Sequence, residues 1–410
     1  MWEELPSSTG HLCVRLIYKL PYIKIMSLLA YKFRVYPSGK QKIRIINQFK
    51  ICKEIYNTLL DLNKKLLVTN KFQLNSLVMD IKATCPEYYS QVHSQALQNV
   101  SDRLSKTFDS FFRRIKEGAK EKGFPRFKSK IMSITYPQSG FKFLSKGHLQ
   151  VSKIGNLPII LHRIPKGKIK TLTIKVNNAD QWFAVFSCEL LDVEVKHPSA
   201  EKVGIDVGIE NFATLSNGEI ISNPHFLLKA EKKIKLLQRR LSRKVKGSSN
   251  RRKARFRLAK QHLKVSNIRT DWLHKLTKSL TLQYGTIAVE DLNIKGMVHN
   301  HHLAKSITDA SWGIFANMLS YKEVILGGQL VKVNPRGTSM TCSKCGHIQE
   351  MPLAMREFLC LKCGFACHRD ENASHNILVR ADCPELNAFG HDVRPTSLAV
   401  VDEAGTTYGK

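Results

Sequence analysis

The 410-residue chain reads as a multidomain α/β protein, and three observations carry that reading. An apolar strand, Val203-Gly204-Ile205-Asp206-Val207-Gly208, holds an acid in its middle and is followed by short strand-like runs. Alternating strand patterns at 124–197 are separated from an early strand by a helical block. Two Cys-x-x-Cys pairs, Cys342/Cys345 and Cys360/Cys363, stand toward the C-terminal end. The length allows two or three domains and a sizeable core.

Charge narrows the function classes. The 65 Lys and Arg against 33 Asp and Glu give a formal charge of +32. Such an excess calls for a polyanionic partner, and nucleic acid is the default. No apolar run reaches the length of a membrane span, and residues 1–25 lack the uninterrupted apolar stretch of a signal peptide. The expectation is a cytosolic, nucleoid-associated protein of a prokaryote without membrane contact. In a reducing compartment, paired thiols favour metal over disulfide.

Residues 1–25 read as an extension upstream of a start at Met26. From there Leu28 to Pro37 form a strand in which basic residues alternate after Tyr31. Residues 38–120 read as a helical insertion. Within it Leu97, Val100, Leu104, Phe108 and Phe111 make one apolar stripe, and Arg103, Lys106, Arg113 and Arg114 are assigned to the opposite face. Strand character returns at 121–198, opening on Phe124-Pro125-Arg126-Phe127-Lys128 and continuing through runs such as 171–176 and 182–186. Aromatics interleaved with Arg126 and Lys128 suit base stacking and phosphate contact.

Residues 229–280 are the most basic stretch, with 19 Lys and Arg against the two acids Glu231 and Asp271. Helical spacing on both sides of Gly247-Ser248-Ser249-Asn250 predicts a helical hairpin. Phosphates are the natural partners of so unbalanced a surface. Lys232, Arg239, Arg240, Arg243, Arg251, Arg252 and Arg255 are its candidate contacts. Residues 381–410 read as a loose tail.

Three acids are candidates for chemistry. Strand alternation puts Asp206 on the face of Gly204 and Gly208, whose missing side chains predict open space beside the carboxylate. Glu290 ends the apolar strand 286–290 on the face of Ala288. Asp370 starts a helix, where alone it reads as an N-cap. Together, a strand, a strand end and a helix start can converge on two Mg²⁺ ions ~3.5–4 Å apart, the arrangement that hydrolyses phosphodiesters. The opening strand and its antiparallel followers match an RNase H-like fold. The four cysteines suit a structural zinc, because a filled tetrahedral thiolate site has no open position for catalysis.

These residues resemble the TnpB (OrfB) proteins of insertion sequences, relatives of type V CRISPR effectors and of Fanzor proteins. The matching motifs are Ala30 to Pro37, Gly123 to Lys128, Gly204 to Gly208, Val289 to Met297, Thr338 to Gly346 and Cys360 to Ala373, in family order. The resemblance implies a RuvC-like nuclease domain at 199–337 and 367–380, with Asp206, Glu290 and Asp370 as its Mg²⁺-binding triad. It also implies a zinc insertion at 338–366 held by Cys342, Cys345, Cys360 and Cys363. A β-barrel-like wedge domain at 26–37 and 121–198 and a helical recognition domain at 38–120 are implied to grip a guide RNA. That RNA is expected to be encoded near the transposon end and to direct cleavage of double-stranded DNA. A non-cleaving RNA-guided regulator and a DNA-joining transposase are the alternative readings. The segment after Lys322 looks shorter than the family pattern before the strand at 331–333.

Overall fold

A computed structural model describes residues 28–119, 121–144, 147–189, 197–352 and 355–383. The extension at 1–25 and the tail from 384 onward lie outside them.

Alternation sets the first strand, β1 (Leu28–Val35), whose buried side chains are Tyr31, Phe33 and Val35. Pro37 removes a backbone donor and Ser38 then starts a helix. Its hydroxyl accepts from the Gln41 N–H while Gln41 Oε1 accepts from the Ser38 N–H, a reciprocal capping box. Helix α1 (Gly39–Leu66) is followed by α2 (Lys71–Thr84), α3 (Pro86–Tyr89) and α4 (Ser94–Lys116). The stripe on α4 is buried from Leu97 through Phe108.

Two basic residues of that helix are not on a solvated face. Arg103 donates to Asn99 at 2.9 Å and to Thr135 Oγ1 at 2.6 Å, packing α4 on the sheet. Arg114 donates to the carbonyls of Lys122 and Gly123, at 2.8 and 2.9 Å, and so anchors the segment that leads to Arg126. In both cases local carbonyl or hydroxyl acceptors take the guanidinium.

Strands β2 (Ser133–Pro137), β3 (Phe141–Leu144), β4 (His148–Val151), β5 (Gly155–Ile160), β6 (Lys168–Val176) and β7 (Trp182–Glu189) complete a sheet of order β2-β6-β7-β1-β5-β4-β3. Its pairings are antiparallel, with β2 and β3 at its two edges. β1 lies mid-sheet, so the helices are inserted between a central strand and its partners. One hydrophobic cluster joins sheet and helices, running from Phe33 and Phe186 to Leu59 and Leu104.

The second half contains β8 (Lys202–Val207), β9 (Asn211–Leu215), β10 (Ile220–Ser222), α5 (Phe226–Ser242), α6 (Ser249–Gln283) and β11 (Thr286–Glu290). Then come α7 (Ile294–Met297), α8 (Ala304–Ala310), α9 (Trp312–Leu326), β12 (Gln329–Val333), β13 (Glu357–Leu359), β14 (Ala366–His368) and α10 (Arg369–Asp382). α10 extends past residue 381, where the tail was expected to begin. Strands order as β10-β9-β8-β11-β12; β8, β11 and β12 run parallel, while β9 and β10 are antiparallel. One face packs against α6 and α9 through Val203, Ile205, Ile287, Val289, Leu273 and Phe315. The other face receives α10 on Ala288, Val333 and Ile377. No described helix is long and apolar enough to cross a membrane.

The short segment after Lys322 closes neatly. Gly327 ends α9 in the left-handed region, at φ 77°, and the Gly328 N–H donates to the Glu323 carbonyl at 2.9 Å. Glu323 itself is fully buried, and neither carboxyl oxygen has a hydrogen-bond partner among the described residues. The His197 Nε2 lies 3.9 Å from its Oε2. Burial pushes the acid up to about 7, with His197 opposing. The native state therefore keeps a proton that the unfolded chain releases, and stability falls as pH rises from the usual carboxylate range through about 7. Glu323→Gln is expected to raise Tm at pH 8 by about 2 °C or more and to change it little at pH 5. A lower Tm at pH 8, read by scanning fluorimetry, would refute this account of the buried acid.

Candidate metal and nucleic-acid site

The parallel pairing of β8 with β11 sets Gly204 against Ala288 and Ile205 against Val289. One step further along both strands lie Asp206 and Glu290, on neighbouring strands about 4.8 Å apart. Both project to the α10 side, since they share faces with Gly204 and Ala288. They stand at the carboxyl ends of the strands, where open α/β sheets collect ligands.

Gly204 brings the third acid in. The space beside it is not open, contrary to the expectation from sequence. A Cβ there would collide with the Ser374 carbonyl oxygen and lie 2.8 Å from Leu378 N, both in the backbone of α10. Gly208 likewise has no vacancy, because its Cβ would meet the Asn211 carbonyl oxygen at 2.8 Å. The missing side chain at 204 lets α10 rest directly on β8, which carries the start of the helix toward Asp206.

Asp370 is not the cap of that helix. His368 occupies the N-cap position, and its Nδ1 accepts from the Asp370 N–H at 3.3 Å. Asp370 thus lies inside the first turn, where a negative charge suits the helix dipole and the carboxylate is released from capping. Its charge is felt at Asp206. Burial pushes Asp206 well above the usual carboxylate range, with the charges of Glu290 and Asp370 adding; Arg369 and the Val207 N–H oppose. Burial also raises Glu290, against the Thr338 hydroxyl and Arg380. Crowded acids of raised pKa on one face are the electrostatic signature of a cation site.

Around them is a frame that pattern reading missed. Thr338 Oγ1 donates to Glu290 Oε1 at 2.6 Å. Asn372 and Asn376, one turn apart on α10, donate to the Thr341 carbonyl at 2.7 and 2.6 Å, and Asn376 also reaches the Thr338 carbonyl at 2.8 Å. Arg380 donates to the carbonyls of Asn334 and Arg336, at 2.7 and 2.8 Å. In sequence, Thr338 and Asn372 fall within the family-matching segments, and Asn372 and Asn376 stand four apart on a helix, a spacing that puts both on one face.

The loop held this way leads into the first cysteine knuckle. Both knuckles share one backbone plan. The Cys342 N–H donates to the His347 carbonyl and the Gly346 N–H to the Cys342 carbonyl; Cys360, Phe365 and Gly364 repeat the pattern, with all four bonds at 2.8–3.0 Å. Gly346 and Gly364 have φ of 73° and 70°, so the turn after each second cysteine requires the left-handed region. Gln349 ties the knuckles together through the Leu359 carbonyl at 2.8 Å and the Leu361 N–H at 3.0 Å.

The four Sγ atoms lie within 4.8 Å of one another, with Cys342–Cys363 at 3.8 Å and Cys345–Cys360 at 3.5 Å. A tetrahedron with Zn–S bonds of about 2.3 Å has S···S edges of about 3.8 Å, so the quartet fits zinc. It is the one His, Cys, Asp or Glu cluster gathered so tightly among the described residues. Cys367 packs against the buried part of this module and His368 is taken by the helix cap, so neither joins the quartet.

The basic hairpin is α5 and α6. Ser248 caps α6 by accepting from the Arg251 N–H at 3.1 Å. Lys232, Arg239, Arg240, Arg243, Arg252 and Arg255 are exposed. Arg251 differs, since its guanidinium donates to the Leu241 and Lys244 carbonyls and closes the turn. Arg126 and Lys128 are exposed as well; the Lys128 backbone is held by Asn57, and its Nζ lies 5.4 Å from the Tyr56 ring centre.

Residues 185–301 match the OrfB family described as "Probable transposase", residues 312–377 the "Cas12f1-like, TNB domain", and residues 26–71 a "Helix-turn-helix domain". A Streptomyces pristinaespiralis protein named "Putative RNA-guided DNA endonuclease" is 33% identical over 381 residues, 89% of this chain and 92% of its own. The chain belongs to the TnpB/OrfB family. The Escherichia coli K12 relative InsQ, which carries the same description, is 30% identical over 401 residues, covering 90% of this chain and 98% of its own. A mimivirus "TnpB-like protein L770" is 24% identical over 392 residues, with 86% and 73% covered. This TnpB/OrfB chain also shares its fold with the protein of a Cas12f1–sgRNA–target DNA complex, at TM-score 0.54 and 16% identity, over 86% of this chain and 98% of that one.

Proposed function

We propose that this TnpB/OrfB protein is an RNA-guided DNA endonuclease whose second sheet is a RuvC-like, RNase H-like nuclease domain. The observation that supports this is that β8 and β11 hold Asp206 and Glu290 on neighbouring strands at the α10 side, where burial first, then the charges of Glu290 and Asp370, raise Asp206. The strand order, three antiparallel strands extended by two parallel ones, supports the same assignment.

Three converging carboxylates cannot all stay ionised in a half-buried site without cations. Oxygen donors at a strand end and a helix start suit Mg²⁺, which takes few protein ligands and keeps water. When bound, a pair of such ions supplies an activated water and a counter-charge for the leaving 3′ oxygen. The chain's own part is positional. β8 and β11 hold two acids in fixed register, Gly204 lets α10 bring the third, and Thr338 braces Glu290. The zinc insertion serves structure.

A guide RNA and double-stranded DNA are the partners this reading assigns, the RNA being encoded beside the transposon end. The exposed bases of α5 and α6, with Arg126 and Lys128, supply phosphate contacts. The test is to sequence the RNA that co-purifies with the protein, then offer duplex DNA matching its variable segment with Mg²⁺. A discrete RNA species and cleavage of the matching duplex are expected. Heterogeneous host RNA together with an intact duplex would overturn the proposal.

A further inference from the structure

We propose that Thr338 is a positioning residue that fixes the orientation of Glu290, linking the zinc insertion to the carboxylate site. The inference rests on reading Asp206, Glu290 and Asp370 as metal-binding, and its test separates the two. Thr338 is only 4% exposed, and its hydroxyl donates to Glu290 Oε1 at 2.6 Å. The Pro335 carbonyl, at 3.1 Å, is the competing acceptor for the one hydroxyl proton. A charged acceptor at the shorter distance takes it. That bond commits Oε1, leaves Oε2 to a cation, and denies Glu290 its other rotamers.

Thr338 is itself held from α10. Its carbonyl accepts from the Asn376 amide, which also reaches Thr341, and Asn372 secures Thr341 while accepting from the Ser343 N–H at 2.9 Å. Asn372 is wholly buried and Asn376 nearly so. Thr341 and Ser343 flank the zinc ligand Cys342. One helix therefore places Asp370, the first knuckle and the hydroxyl that braces Glu290. Outer partners of this kind set ligand direction and commonly change metal affinity by about 10- to 100-fold when removed.

The experiment is a Mn²⁺ titration of the purified full chain, read by the loss of free-ion EPR signal, with zinc content measured on each sample. Thr338→Val keeps the shape and removes the donor; Thr338→Ser keeps the donor. The proposal predicts about tenfold weaker Mn²⁺ binding in Thr338→Val with zinc retained, and wild-type binding in Thr338→Ser. Glu290→Gln is the reference. If Glu290→Gln loses Mn²⁺ while Thr338→Val binds as the wild type does, the positioning role fails and the carboxylate reading stands. If Glu290→Gln binds normally, both fail. A Thr338→Val protein that also sheds its zinc shows a structural threonine and overturns the proposal.

Discussion

Asp206→Asn and Glu290→Gln are each expected to abolish the proposed Mg²⁺-dependent DNA cleavage while leaving the co-purified RNA in place. The loss should at least match the ~10²–10³-fold cost of removing a single oxyanion-hole donor, because an ion is displaced and not merely a hydrogen bond. RNA retention is expected because neither acid lies on the basic hairpin proposed to contact phosphates. A second readout has the opposite sign. In metal-free buffer Asp206 is held well above its usual pKa by burial and by two neighbouring acids, so its ionised form destabilises the native state. Sign and window follow from that direction: the penalty appears above the ordinary carboxylate range and grows as pH rises through the folded value. Asp206→Asn should therefore raise the metal-free Tm at neutral pH and forfeit the further rise that Mg²⁺ gives the wild type. Cleavage persisting in both purified variants would reject the assignment of the acids.

Cys360→Ser is expected to empty the zinc site and open the insertion. Cys360 is buried at the centre of the module beside Phe358 and Cys342. Burial works against its ionisation, while the N–H groups of Cys363 and Lys362 and then the Cys363 and Cys345 side chains act the other way and together lower the thiol to about 6. Zinc takes cysteine as the thiolate, and serine supplies neither that charge nor the soft donor. The insertion's buried apolar cluster is only a few residues deep, so metal binding must provide most of its folding free energy, on the order of 10 kcal/mol in isolated zinc modules. Zinc per chain should fall from one toward zero, and limited proteolysis should cut between 338 and 368 while the 28–189 half stays resistant. Retention of one zinc in Cys360→Ser would show that the quartet is not the site.

The sequence made some of this legible and hid the rest for physical reasons. β1, β6 and β7 were readable because one buried face imposes strict alternation, and the knuckles because two short loops must each present two thiolates. Side chains whose partners are distant along the chain were misread. Gly204 looked like space beside a carboxylate, whereas it is the contact surface for a helix that starts 165 residues later. Asp370 looked like an N-cap because the capping His368 is an unusual residue for that position. Arg103, Arg114 and Arg251 looked like free surface charge, yet each spends its guanidinium on nearby carbonyls or hydroxyls. Thr338 stood at the head of a family-matching segment, but nothing local pointed to its role, since its hydroxyl meets Glu290 across 48 residues. Three acids could be named from their local settings; their proposed meeting rests on parallel register and on one absent Cβ.

Crystals of the protein soaked in Mn²⁺ and measured at the manganese edge test the central claim most directly. Anomalous peaks bounded by Asp206, Glu290 and Asp370 are the predicted result. Manganese found only elsewhere, with the three carboxylates turned from one another, would contradict it.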